Sequence, residues 1–165
     1  MPGYSQAAMT AASAVPLAPT GRRSARLAIS VGGFIAGALD FTQATTLFGF
    51  GVWRVVASAL LGPQVLHGGA PVYALGIILH FFIAFSVTAI YYAASRRLRF
   101  LTEHPLVCGL VYGAIVENVM NLIVLPLSAL HARGPYSLQD LLLGLGMHMV
   151  VIGLPVSYSV RRFGK

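Results

Sequence analysis

The chain has 165 residues, of which 57% are hydrophobic and only 9% charged, too little polar surface to enclose a water-soluble core of this size. Its net charge of +7 raises nucleic acid as a partner, but nearly all the basic residues sit at the ends of apolar runs. No Lys/Arg stripe alternates with aromatic residues, as a nucleic-acid groove requires, so no nucleic-acid role is expected. Cys108 is the only cysteine; an internal disulfide and a CxxC-type metal or redox site are excluded, and it reads as a small apolar side chain.

In chain order, Met1–Thr20 is rich in Ala, Ser, Thr and Pro and lacks apolar periodicity. It predicts a disordered cytoplasmic tail over residues 1–24, ahead of a four-helix transmembrane domain over residues 25–165. Four apolar runs follow, at Leu27–Phe50, Pro71–Ala94, Pro105–Leu130 and Leu138–Val160. At about 1.5 Å per helical residue each is long enough to cross a hydrocarbon core of about 30 Å. The first resembles a signal peptide, with Arg22 and Arg23 before it and Ala36-Gly37-Ala38 as a small-residue cleavage site. Apolar character resumes from Ala44 to Phe50, however, which favours a retained span.

The link Gly51 to Gly69 is long, and its centre is apolar but too short to span. Trp53, Val56, Ala57, Leu60 and Leu61 share a helical face with Arg54 and Ser58 off it. This predicts a short interfacial helix with Trp53 as a headgroup-level anchor. Gly62-Pro63 ends it, and Gly68-Gly69 with Pro71 turns the chain back. The second link, Arg96 to His104, is short and basic, with Tyr91 and Tyr92 just before it. The third, about His131 to Tyr136, is equally short, and Ser137 with Asp140 then predicts a capped helix start. Asp140 therefore has a structural explanation.

Arginine sets the expected orientation. Arg22, Arg23 and Arg26 precede the first run, Arg96, Arg97 and Arg99 follow the second, and Arg161, Arg162 and Lys165 follow the fourth; only Arg54 and Arg133 fall on the other side. By the positive-inside rule this predicts a multi-pass protein of the bacterial inner membrane with both termini cytoplasmic.

An internal repeat is suggested. Gly33-x-x-x-Gly37 is followed by Asp40 in the first run, and Gly109-x-x-x-Gly113 by Glu117 in the third. Gly76-x-x-x-His80 lies in the second and Gly144-x-x-x-His148 in the fourth. Each half is then an acid-bearing helix followed by a histidine-bearing one, a parallel repeat of two hairpins. The fold expected is all-α: a four-helix bundle of two tandem helical hairpins plus the short interfacial helix.

Several strings carry a resemblance: Leu79-His80-Phe81-Phe82-Ile83-Ala84-Phe85 with Tyr91-Tyr92 behind it, Tyr112-Gly113 leading to Met120-Asn121, Leu125-Pro126-Leu127-Ser128-Ala129, and Gly153-Leu154-Pro155 before Arg161-Arg162. From Leu27 onward the chain resembles an uncharacterised family of small four-span bacterial inner-membrane proteins. The resemblance implies the architecture and no activity.

Ionisable groups inside a bilayer are costly, by about 2.5–3.5 kcal/mol at helix centre, so each needs a reason. Asp40, His80, Glu117 and His148 are the four. Asp40 is fourteen residues from Arg26, His80 sixteen from Arg96, and His148 thirteen from Arg161; Glu117 is near the middle of its run. They are expected to form one central polar layer, supported by Gln43, Asn118 and Asn121. Gly33, Gly37, Gly76, Gly109, Gly113 and Gly144 are the expected helix-packing positions.

Four readings stay open. Asp–His and Glu–His pairs can simply hold the bundle in register. Carboxylate and imidazole groups at one depth can relay protons or ions, with Pro126 and Pro155 freeing carbonyls at Leu122 and Val151. His80 and His148 can hold a haem b, or the two histidines and two carboxylates a divalent metal, although no Glu-x-x-His motif occurs. The small-residue stripes and basic corners can serve lipid, a homodimer or a membrane-protein partner. The working expectation is a small transport or ion/proton-coupled component without resident cofactor, not an enzyme. No GxSxG, HExxH, Walker A or Rossmann glycine pattern occurs. His67, His104 and His131 read as solvated link residues.

Overall fold

The structure, a computed structural model, describes residues 20–132 and 137–164. The expected tail lies outside the described residues as far as residue 19, as do Arg133 and Lys165. Helix α1 (Thr20–Phe48) is followed by a short α2 (Val52–Leu61), then α3 (Ala70–Ser95) and a single turn, α4 (Phe100–Glu103). Two further long helices complete the chain, α5 (Pro105–Leu127) and α6 (Leu138–Phe163). No strand occurs among the described residues. The four long helices are long and apolar enough to cross a membrane, at the places where the apolar runs predict them.

Helix limits follow local chemistry. Pro71 and Pro105 occupy first turns, where a missing N–H costs nothing. Gly62 ends α2 at φ 88°, a conformation that favours glycine. Ser137 caps α6 as its spacing predicts: its hydroxyl accepts from the Asp140 N–H at 3.1 Å and donates to Asp140 Oδ2 at 2.7 Å.

The main helix neighbours run α3–α1–α6–α5, and α3 also touches α5 through Tyr91 and Tyr112. Apart from Trp53 and Tyr91, the interior of the bundle is built from small side chains: Ala28, Ala36, Val156, Val160, Thr88 and Ser157 are fully buried, whereas Phe34, Ile78, Phe82, Leu122 and Leu127 point outward. In water such a surface would drive association; against acyl chains it is neutral, and close backbone approach supplies the packing. A Cβ on Gly33 or Gly37 would strike Phe85 or Phe81 of α3. A Cβ on Gly109 or Gly113 would strike Ser157 or the His148–Met149 backbone of α6. Both Gly-x-x-x-Gly pairs thus close a hairpin, α1 on α3 and α5 on α6. Gly153 of α6 faces the Gly109 carbonyl in the same seam.

Two π-helical turns interrupt the second hairpin, Met120–Val124 in α5 and Met149–Gly153 in α6. Each stands just before a Leu-Pro pair. Proline has no N–H and clashes with the carbonyl four residues back, and a widened turn relieves both faults. The carbonyls of Leu122 and Val151 fall inside these turns.

One expectation is corrected. Helix α2 forms, but Trp53 is not a headgroup anchor: it is 1% exposed. Its ring stacks on Phe41 with centroids 4.4 Å apart, and its Nε1–H donates to Thr45 Oγ1 at 3.1 Å. The inward face is Trp53, Ala57 and Ser58, while Leu60 and Leu61 are 58% and 41% exposed. Packing decides this face. Gly76 of α3 lies against the Trp53 backbone carbonyl, so small α2 residues approach and the leucines turn out.

Candidate functional site

Helix α1 carries Asp40 one turn beyond Gly37, opposite His80 of α3. Because Gly33 and Gly37 bring the backbones together, His80 Nε2 reaches the Gly37 carbonyl at 2.9 Å. A carbonyl only accepts, so this nitrogen carries the proton and Nδ1 is left facing Asp40. The Nδ1–Oδ2 separation is 3.8 Å, an ion-pair distance too long for a hydrogen bond. Trp53, Phe41 and Phe81 ring the imidazole, with the Trp53 and Phe81 centroids 5.0 and 5.3 Å from its own.

The second hairpin holds a tighter pair. His148 Nδ1 lies 3.0 Å from Glu117 Oε2 and 3.1 Å from the Gly144 carbonyl, which assigns its proton to Nδ1. Its Nε2 has no hydrogen-bond partner among the described residues. Each acid therefore meets the histidine of its own hairpin. All four side chains are largely enclosed, at 12% and 15% exposure for His80 and Asp40, and 23% and 13% for His148 and Glu117.

The two pairs border one space. A cavity of about 530 Å³ lies between the hairpins, with Asp40, Gln43, Glu117, Asn121, Asp140 and His148 on its polar wall. Leu47, Phe48, Val52 and Leu141 are among its apolar lining. Because Phe48 ends α1 and Asp140 begins α6, the cavity runs from the paired acids toward the Gly51–Gly69 end of the bundle. Beyond the pairs, toward the arginine-bearing end, Ala28, Ala36, Val156 and Val160 are fully buried, and none of them lines the cavity.

Of the expected central layer, Asp40, Glu117 and His148 line the cavity, while His80 stands behind Asp40. Gln43 and Asn121 also line it. Asn118 does not: it is exposed on the outer face of α5 and donates to the Ala114 carbonyl at 2.8 Å. Asp140 is the residue the sequence reading passed over. Its capping role is real, yet it also borders the cavity, and the signal was present: Asp140, Gly144 and His148 are spaced by four and share a face.

The electrostatics are one-sided. The chain has four carboxylate residues against eleven lysines and arginines. Asp40, Glu117 and Asp140 border this cavity, and among the described residues no lysine or arginine does. Such a space attracts protons and small cations and repels anions. Among the described residues no group of three or more His, Cys, Asp or Glu side chains converges closely enough to hold a metal ion. No protein-family model, curated protein or solved structure matches this chain.

Proposed function

We propose that this protein is a small cation- or proton-coupled transport component of a bacterial inner membrane, with both termini cytoplasmic. In this reading the cavity is a vestibule open to the outer face, and Asp40, Glu117 and His148 form its inner floor. The orientation draws its support from the arginines gathered at one end of the bundle. The coupling role rests on one observation: three of the chain's four acidic residues border a single cavity whose only basic group among the described residues is the His148 imidazole. Placing carboxylates in a low-dielectric space beside nothing stronger than an imidazole among the described residues is costly, and a transient cation relieves that cost. The close packing beyond the floor means that passage requires movement, for which the two π-turns before Pro126 and Pro155 are suited hinges, or a second copy of the chain.

The test is flux in proteoliposomes with an internal pH dye and an imposed potential. Glu117→Gln and Asp40→Asn are each expected to lower cation or proton flux by about tenfold or more, the loss of a charged intramembrane site. Flux equal to wild type in both variants refutes the reading.

A second reading is favoured by the pairing itself. Each acid meets the histidine of its own hairpin, as interhelical polar contacts that fix register would. On that reading the same substitutions lower the melting temperature and no flux exists to lose.

A further inference from the structure

A separate groove lies at the arginine-bearing end, on the face of α5 turned away from the vestibule. There α3 and α5 meet at Tyr91 and Tyr112, whose ring centroids are 4.9 Å apart. The Tyr91 hydroxyl donates to the Leu101 carbonyl at 2.9 Å and that of Tyr112 to Val87 at 2.6 Å. Both phenol protons are thereby committed, and the floor offers a ligand no free donor. Val107, Val111 and Ile115, each more than half exposed, rise at intervals of four along one wall of a cavity of about 560 Å³. Phe100, Leu101 and His104 stand at its mouth. From His104 to Ile115 the groove follows helix for about 16 Å at 1.5 Å per residue, roughly one leaflet of a 30 Å hydrocarbon core.

The mouth is as positive as the groove is apolar. Arg96, Arg97 and Arg99 are all exposed in the adjoining link, and none forms an ion pair among the described residues. Glu103 is the only acid beside them. A wall without polar groups, one leaflet deep, under a cluster of guanidinium groups, matches an amphiphile with a long acyl chain and an anionic head. We propose that this groove binds one acyl chain of an anionic phospholipid, whose phosphate is held by the Arg96–Arg99 link. The inference rests on the membrane placement proposed above and is independent of the vestibule.

Native mass spectrometry of the full chain in neutral detergent, titrated with equal phosphatidylglycerol and phosphatidylcholine, tests it. Wild type is expected to retain one phosphatidylglycerol with about fivefold preference or more, and Arg97→Gln with Arg99→Gln to reduce that preference below about twofold. Val111→Trp, which fills the groove, should remove the adduct of both lipids. Equal retention of the two lipids by wild type, or an undiminished adduct in the tryptophan variant, overturns the site. So does displacement by soluble glycerol phosphate, which would assign recognition to the headgroup alone. Cys108 on the groove floor gives a readout without substitution: N-ethylmaleimide labelling should slow about threefold or more in phosphatidylglycerol relative to phosphatidylcholine, and equal rates count against the proposal. Recovery in the membrane fraction checks the placement separately, so lost lipid preference in a membrane-recovered protein sinks this site alone.

Discussion

The Glu117 carboxylate occupies the volume that a side chain at Gly144 would need. One turn further along α6, His148 Nδ1 meets that carboxylate at 3.0 Å. The absence of a Cβ at residue 144 is thus what admits an acid from α5 to a histidine on α6. Gly144→Ala should push the flexible end of Glu117 off His148 and into the bordering cavity, at the cost of the lost polar contact, about 0.6–1.7 kcal/mol. Gly146→Ala, two residues on and with open space around it, should be neutral. Reversible unfolding in mild detergent compares them.

The two acid–histidine pairs should differ in strength. Glu117 and His148 are within hydrogen-bond distance at 3.0 Å, whereas Asp40 and His80 stand 3.8 Å apart. Double-mutant cycles with Glu117→Gln/His148→Gln and Asp40→Asn/His80→Gln should give a larger coupling for the first. Interhelical polar contacts in membranes average about 0.6 kcal/mol and reach about 1.7 kcal/mol. A coupling near zero for Glu117 with His148 would mean that the contact is not made in solution.

Trp53 is the only tryptophan, so fluorescence reports its surroundings directly. Enclosed by Phe41 and His80, it should emit at short wavelength and resist quenching by aqueous acrylamide. Gly76→Leu, which forces α2 away from α3, should red-shift the emission and expose the ring. A wild-type spectrum already typical of a wet interface contradicts the burial described above.

The vestibule predicts a pattern of thiol reactivity. With Cys108 replaced by Ser, single cysteines at Leu47, Phe48 or Leu141 should react with a charged, membrane-impermeant maleimide. Val156→Cys, in the closed half, should react more slowly by about two orders of magnitude, the protection expected of a fully buried thiol. Uniform rates at all four positions would show that the cavity does not fill with water.

Span positions were legible without coordinates because a bilayer imposes a length criterion that any run of apolar residues meets or fails locally. The Ser137 cap was legible for the same reason: its hydrogen bonds close within four residues. Asp40, Glu117 and His148 could be singled out because charge inside an apolar run is conspicuous at the level of composition.

Rotation and partner choice lay beyond that reach. Whether Trp53 faces lipid or His80 depends on Gly76, more than twenty residues away, and on Leu60 and Leu61 yielding to smaller neighbours. Asn118 and Asn121 look alike in sequence, yet one turns outward and the other borders the cavity, because the glycine seam sets how α5 is rotated against α6. Asp140 joined the cavity for the same reason. Apolar length and the arginines of the links are local and additive, so they can be read from residues in order. Interhelical rotation is a collective result of close backbone contacts, and it alone decides which polar groups share one space.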